Sequence, residues 1–394
     1  MEERLSTIDA LLESSSADGV VPGVVAIIGD RDGVLYEGAA GRLRIGYGAP
    51  AGTDTMFRIA SMTKALTSVA ALQLIEQDRL ALDQTVVSVV PEFGALQLLE
   101  GFDGDTPRLR KLSREPTIQQ LLTHTSGLAY WFSNLDLKHW HDVTDAPSPL
   151  TGMRKCLDTP LVAEPGERWE YGVSTAWLGL VIEAVTGRGL DDYLAEHVFA
   201  PLGMTDTTFR PTEAQRERLM EVHERTPEGG LRLSQIEIME EPEMAFGGEG
   251  AYATAGDYMR FLRALLRGGE LDGVRILEAD TVALMFTDHL GGLQLPEVSP
   301  SAVPELTNEV PSLPFRQGFG LGLHLLLEDV PAMRKAGSGD WAGLFNCYYW
   351  LDPATGIAAA ILTQLLPFFD GRMVETLLQF EQSIYAELAA PTAA

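Results

Sequence analysis

Ser61 and Lys64 stand three residues apart in the stretch Phe57-Arg58-Ile59-Ala60-Ser61-Met62-Thr63-Lys64. On a helix that spacing puts both side chains on one face, with Cβ atoms about 5–6 Å apart. A hydroxyl and an amine held there can share a proton. A helix N-terminus also offers free N–H groups to a developing negative charge. The chemistry this predicts is a serine nucleophile with a lysine as its base. Desolvation favours the neutral, proton-accepting form of an amine, and the neighbours of Lys64 are apolar: Ile59, Ala60, Ala65 and Leu66. The spacing alone also fits a plainer arrangement, an N-cap serine with a solvated lysine one turn on.

Three other stretches could serve such a nucleophile. Trp169-Glu170-Tyr171-Gly172-Val173-Ser174 follows the turn Glu164-Pro165-Gly166-Glu167. A phenol works as a general base only where a cation stabilises the phenolate, and Lys64 would be that cation for Tyr171. Otherwise Tyr171 is a residue at the edge of the core. Gly337-Ser338-Gly339-Asp340-Trp341-Ala342-Gly343-Leu344-Phe345 leads into a strand. Its glycines allow close backbone approach, so an N–H from it could complete an oxyanion hole with the N–H of Ser61. The alternative is an ordinary turn before an edge strand. His124, in Leu121-Leu122-Thr123-His124-Thr125-Ser126-Gly127-Leu128, invites a Ser-His pairing but equally suits a structural role in a tight polar turn. There is no Gly-x-Ser-x-Gly elbow, no His-Glu-x-x-His, no Walker loop and no Gly-x-Gly-x-x-Gly opening a helix. Gly247-Gly248-Glu249-Gly250 lacks the spacing that nucleotide binding needs.

The elements that must position these groups are legible as periodicities. Residues 3–16 predict a helix with Leu5, Ile8, Leu11 and Leu12 on one face. Gly23 to Gly29 and Val34 to Gly38 flank the turn Asp30-Arg31-Asp32-Gly33, which predicts a β-hairpin. Phe345 to Leu351 and Ile357 to Thr363 repeat the design around Asp352-Pro353-Ala354-Thr355-Gly356, and a last helix is expected over 373–388. The middle reads as helical: 65–79, Thr117–Leu122, Ala176–Thr186, Asp191–Phe199 and Thr254–Arg267. Residues 293–315, rich in Pro and Ser, read as a long surface loop placed to cover a cleft. The expected fold class is α/β (α+β): terminal hairpins sharing one antiparallel sheet, with terminal helices on its face. Residues 1–78 and 187–394 would form that part, and 79–186 a smaller, mostly helical domain, with the site in the cleft between.

Composition narrows the function. The 394 residues suggest two subdomains, and 45% apolar residues suffice for a large core. A formal net charge of -27 argues against nucleic acid and against adhesion to anionic membranes. The two cysteines, Cys156 and Cys347, make no disulfide framework and no metal-type spacing, so both are expected to be small buried residues and no metal or cofactor is expected. No basic region followed by an apolar run opens the chain, and no apolar run reaches about 18 residues, so a cytoplasmic protein is expected.

Taken together, these stretches resemble the serine β-lactamase and penicillin-binding-protein superfamily. Within its class C β-lactamase-like branch, they look most like the family VIII carboxylesterases and related acyltransferases. Ser61-Met62-Thr63-Lys64 matches the family's Ser-x-x-Lys. Tyr171-Gly172-Val173 sits where the family has Tyr-x-Asn or Tyr-x-x. Trp341-Ala342-Gly343 sits where β-lactamases carry Lys-Thr-Gly and the esterases Trp-x-Gly. Pro201-Leu202-Gly203-Met204 and the segment from Gly247-Gly248 to Tyr258 also look like family stretches, so the likeness spans roughly residues 5–385. It implies a β-lactamase-like fold and a Ser61, Lys64, Tyr171 catalytic set. It also implies an oxyanion hole from Ser61 and Leu344, and substrate contacts at Tyr130, Val173, Trp341 and Gly343. Val173 replaces the asparagine that would bind a β-lactam amide, and Trp341 the lysine that would face its carboxylate. Neutral apolar esters are therefore expected to bind better than anionic penicillin-like molecules.

The activity so implied is hydrolysis of small carboxylic esters of short to medium acyl chain through an acyl-enzyme. Ser61 Oγ attacks, Lys64 with Tyr171 takes its proton, and Tyr171 protonates the leaving alkoxide and later activates water. Acyl transfer to another acceptor is the nearest alternative. A β-lactamase or D-amino-acid peptidase is disfavoured by Val173 and Trp341, and a silent binding protein by the complete Ser61, Lys64, Tyr171 set.

Overall fold

The structure, a computed structural model, describes residues 6–389. Its centre is a seven-stranded antiparallel sheet. The strands are β1 (Gly23–Asp30), β2 (Val34–Gly41), β3 (Gln317–Phe319), β4 (His324–Leu326), β5 (Gly339–Gly343), β6 (Cys347–Asp352) and β7 (Ile357–Leu362). Their order in space is β3-β4-β5-β6-β7-β1-β2. The two terminal hairpins do share this sheet: β1 pairs with β7 from Val25↔Leu362 to Asp30↔Ile357. Alternation along β1 sends Val24, Ala26 and Ile28 to one face and Val25 and Ile27 to the other. Both faces of the central strands are covered, so these strands read as continuous apolar runs rather than as half-buried ones.

Helices α1 (Ser6–Ala17) and α5 (Gly371–Ala389) cover the first face. Ile8 and Leu12 of α1 pack there with Trp350 and Phe380, while Leu5 of the expected stripe lies outside the described residues. On the second face lie α2 (Thr63–Glu76) and α4 (Ala255–Leu266), with α3 (Ser174–Thr186) packed on α2. Every residue of α2 from Thr63 to Leu74 is buried, so it runs through the core between the sheet and the helices beyond it. Its buried polar residues Lys64, Thr67, Ser68 and Gln73 are each hydrogen-bonded, so the helix can lie in the core despite them. No helix among the described residues is long and apolar enough to cross a membrane.

Three expectations need correction. Residues 79–186 carry a twisted hairpin, Gln97–Asp103 with Thr106–Lys111, which the helical reading overlooked. Its second strand is largely exposed and charged, so no buried face marks it in the sequence. Asp191–Phe199 is not one α-helix but Leu190–Leu194 followed by a π-helical turn, Ala195–Phe199. The 293–315 segment is also not featureless, since Val298–Ser299 pairs with Val310–Pro311.

Candidate active site

Ser61 lies in a 3₁₀ turn, Ala60–Met62, that leads directly into α2. The turn is fixed from three sides. Phe57 and Arg58 pair with Tyr252 and Ala253. The Tyr258 hydroxyl of α4 donates to the Met62 carbonyl at 2.9 Å. The Ala251 N–H donates to Thr63 Oγ1 at 3.1 Å. Ala60, just before the nucleophile, adopts φ 44°, a left-handed conformation costly for a residue with a Cβ. Such strain persists only where the surroundings over-determine it, as they do here.

Lys64, one turn into the helix, is buried and brings Nζ to 3.0 Å from Ser61 Oγ. The same nitrogen donates to the Gly248 carbonyl at 2.8 Å and to the Tyr130 hydroxyl at 3.1 Å. Tyr171 reaches Ser61 from the other side, its hydroxyl donating to Oγ at 2.6 Å. The two tyrosines lie on neighbouring backbone segments joined by the Tyr130 N–H donating to the Tyr171 carbonyl at 3.0 Å. Gly172 permits that approach: a Cβ there would sit 2.2 Å from the Leu128 carbonyl oxygen. Nζ of Lys64 lies between the two rings, 5.1 Å from the Tyr130 centroid and 4.9 Å from that of Tyr171.

Behind Tyr130 stands Glu249, partly buried, whose Oε2 accepts the Tyr130 hydroxyl at 2.7 Å. Burial pushes its carboxyl above the ordinary range, with Lys64 and Tyr130 pulling partly the other way. Burial, with the nearby Glu249 charge, also lifts the Tyr130 phenol well above its usual value. His124 contributes differently. It is buried with φ 56°, and burial together with the Lys64 charge drives its imidazole well below the usual value. Its ring packs against Tyr171, Phe319 and Trp341 at centroid distances of 5.3, 5.5 and 6.4 Å. Among the described residues it makes no hydrogen bond to Ser61, and its packing among these rings matches the structural reading of the turn.

Trp341, on β5, closes the aromatic wall, its ring 5.1 Å from that of Tyr171. Behind it Asp340 accepts from His324 at 2.7 Å and pairs with Arg334. Burial alone would raise the Asp340 carboxyl, but His324 and Arg334 outweigh it and hold the group at about 2. Gly343 lies so close to the nucleophile's turn that a Cβ would come 2.4 Å from the Ile59 carbonyl oxygen. Leu344 follows it and shares with Ser61, Tyr130 and Glu249 the wall of an apolar cleft. A second cleft opens beside Tyr171, where Pro296, Ser299 and Pro300 of the long segment face Trp169 and Glu170. Val173 is not brought to either cleft wall. It is 2% exposed, packs in the core and starts α3, which corrects its assignment as a substrate contact. The sequence reading missed the Gly248 carbonyl and Glu249, and nothing local in a glycine-rich run signals that its neighbour Tyr130 is far away in sequence.

Comparison with known proteins gives this geometry a context. Residues 8–382 match the model of the Beta-lactamase family. The chain is 34% identical over 358 residues to monacolin J acid methylbutanoyltransferase of Aspergillus terreus, covering 86% of this chain and 84% of that one. It is 31% identical over 405 residues to the lovastatin esterase of Penicillium rubens, covering 97% and 99%. The LovD6 mutant of simvastatin synthase from Aspergillus terreus superposes with a TM-score of 0.84 at 30% identity, covering 98% of each chain. The chain belongs to the Beta-lactamase family, among its serine hydrolases and acyltransferases.

Proposed function

We propose that this protein is a serine acyltransferase that forms an acyl-enzyme on Ser61 and passes the acyl group to an alcohol, with water as the competing acceptor. The observation that carries the reading is the placement of Ser61 Oγ between Lys64 Nζ and Tyr171 Oη, at 3.0 and 2.6 Å, on the wall of an apolar cleft. The sequence ranks ester hydrolysis ahead of transfer; the methylbutanoyltransferase relative favours the reverse order. The lovastatin esterase relative supports hydrolysis as the second reading.

In the first step Ser61 Oγ bonds to the donor carbonyl carbon as its proton passes to Lys64. The oxyanion would lie between the N–H groups of Ser61 and Leu344, where one donor is worth about 10²–10³ in kcat. Collapse breaks the bond to the leaving oxygen, which takes the Tyr171 proton. The phenolate left behind belongs to a ring whose centroid lies 4.9 Å from the Lys64 ammonium. In the second step the acceptor alcohol gives its proton to Tyr171 and its oxygen to the acyl carbon. The ester bond to Oγ then breaks, and Lys64 returns its proton to Ser61. With Trp341 in place of a cation the cleft suits neutral apolar acyl groups and acceptors better than anionic ones.

The test is p-nitrophenyl butyrate turnover with and without a series of apolar alcohols. A burst of p-nitrophenol followed by alcohol-dependent formation of butyrate esters is expected, and Ser61→Ala should abolish both with the fold intact. Free butyrate as the sole product with every alcohol would select hydrolysis. Near-normal turnover in Ser61→Ala would end both readings.

A further inference from the structure

We propose that Glu249 is a positioning residue for the nucleophile: by claiming the hydroxyl proton of Tyr130 it makes Tyr130 an acceptor toward Lys64 and so aims the amine's lone pair at Ser61. The inference rests on the acyl-enzyme reading above and follows from counting hydrogens. The Gly248 carbonyl can only accept, and it takes one N–H of Lys64 at 2.8 Å. The Tyr130 hydroxyl has a single proton, directed to Glu249 Oε2 at 2.7 Å. What its oxygen presents to Lys64 Nζ, 3.1 Å away, is therefore a lone pair. In the neutral state that must accept the Ser61 proton for the proposed first step, an amine has two N–H bonds and one lone pair. With both N–H bonds committed, the remaining polar neighbour is Ser61 Oγ at 3.0 Å. Tyr171 gives its own proton to Oγ, so once the amine is neutral the Ser61 proton is left to go to Lys64. Without the carboxylate, the Tyr130 proton is free to turn to Lys64 and occupy the lone pair that Ser61 requires.

The placement of Glu249 supports this role over a merely structural one. Its other oxygen, Oε1, is buried and has no hydrogen-bond partner, so Tyr130 is the one side chain the carboxyl serves. Glu249 also directly follows Gly248, so one short segment of chain sets both acceptors of the lysine. A Cβ at Gly248 would sit 3.1 Å from the Tyr130 hydroxyl oxygen, close enough to disturb the arrangement.

A double-mutant cycle on the burst rate with p-nitrophenyl butyrate tests the assignment. Glu249→Leu is expected to slow acylation by about tenfold or more, and deacylation less, because only acylation needs the free lone pair. Glu249→Gln, whose amide oxygen still accepts from Tyr130, should recover the rate to within about fivefold of the unaltered protein. Tyr130→Phe should slow acylation by about tenfold or more, and adding Glu249→Leu to it should change the rate by no more than about twofold. Multiplying losses in the double variant would overturn the proposal. So would an unaltered burst in Tyr130→Phe, a change that keeps the ring's packing and decides the matter even if Glu249→Leu does not fold. Fluorophosphonate labelling separates the two levels: no adduct on Ser61 defeats the acyl-enzyme itself, whereas a normal adduct with independent mutant effects defeats the Glu249 assignment alone.

Discussion

Gly343→Ala concentrates its effect on one contact. The Cβ it adds would meet the Ile59 carbonyl oxygen at 2.4 Å, whereas Cβ atoms essentially never come within 3.0 Å of such a neighbour. Ile59 precedes the strained Ala60 and the nucleophile, and its flanks are pinned by the pairing of Phe57 with Ala253 and by the Tyr258 hydroxyl on Met62. The relief must therefore come mainly from the β5 side, carrying the Leu344 N–H outward by about half an ångström or more. Oxyanion donors act at about 2.7–3.1 Å, and losing one costs about 10²–10³ in kcat. Partial withdrawal should lower kcat by roughly 30- to 100-fold, since misplacement by about 1 Å alone can cost 10²-fold. KM should change less than kcat, because Leu344 and Phe345 are the parts of the cleft wall that follow the displaced strand while the rest stays in place. Stopped-flow measurement of the p-nitrophenyl butyrate burst, with thermal melting as the fold control, gives both numbers. A kcat within about threefold of the unaltered protein, at unchanged melting temperature, would refute the view that β5 and the Ser61 turn form one oxyanion site.

Tyr171→Phe removes the donor 2.6 Å from Ser61 Oγ and should slow both acylation and acyl transfer by on the order of 100-fold, read as burst and steady-state rates. Asp340 should mark the acid limb of stability. Its carboxyl is held at about 2 against an ordinary 3.8, so its contribution of about 2 kcal/mol is complete above pH 4 and lost as pH falls through 2. Asp340→Asn should flatten that part of the acid-unfolding curve, and an unchanged curve would exclude this role. Between substrates, p-nitrophenyl butyrate should be turned over faster than nitrocefin if Trp341, as the proposed reading has it, takes the place of a cation that would meet a β-lactam carboxylate. The reverse order would contradict the proposed selectivity.

Much of this arrangement is readable in the chain because its signals are local. Ser61 and Lys64 are neighbours on one turn, the terminal hairpins announce themselves by turns rich in Asp and Gly between apolar runs, and α2 by the helical spacing of its apolar residues. The parts that escaped are those decided at long range. Glu249 meets Tyr130 only because α2 and two loops converge on the Lys64 ammonium, and no spacing records that. Val173 sits beside Tyr171 in sequence, yet the start of α3 turns it inward to the core. The 97–111 hairpin was lost for the opposite reason: an exposed ribbon buries too little to leave a pattern.

The pairing of β1 with β7 also sets a timetable for biosynthesis. β1 is buried at seven of its eight positions, and its partner is drawn from near the opposite end of the chain. At about 5–20 residues per second, the ribosome delivers that partner on the order of 15–60 s after β1 itself. Throughout that interval the nascent hairpin carries an unpaired apolar edge, the kind of surface that recruits other strands. Ser61 and Lys64 emerge early in the same interval, but the β5 strand that leads to Leu344 does not. A nascent or truncated chain thus holds Ser61 and Lys64 without the strand that sets Leu344 beside them, and the cleft between them is complete only when the sheet closes.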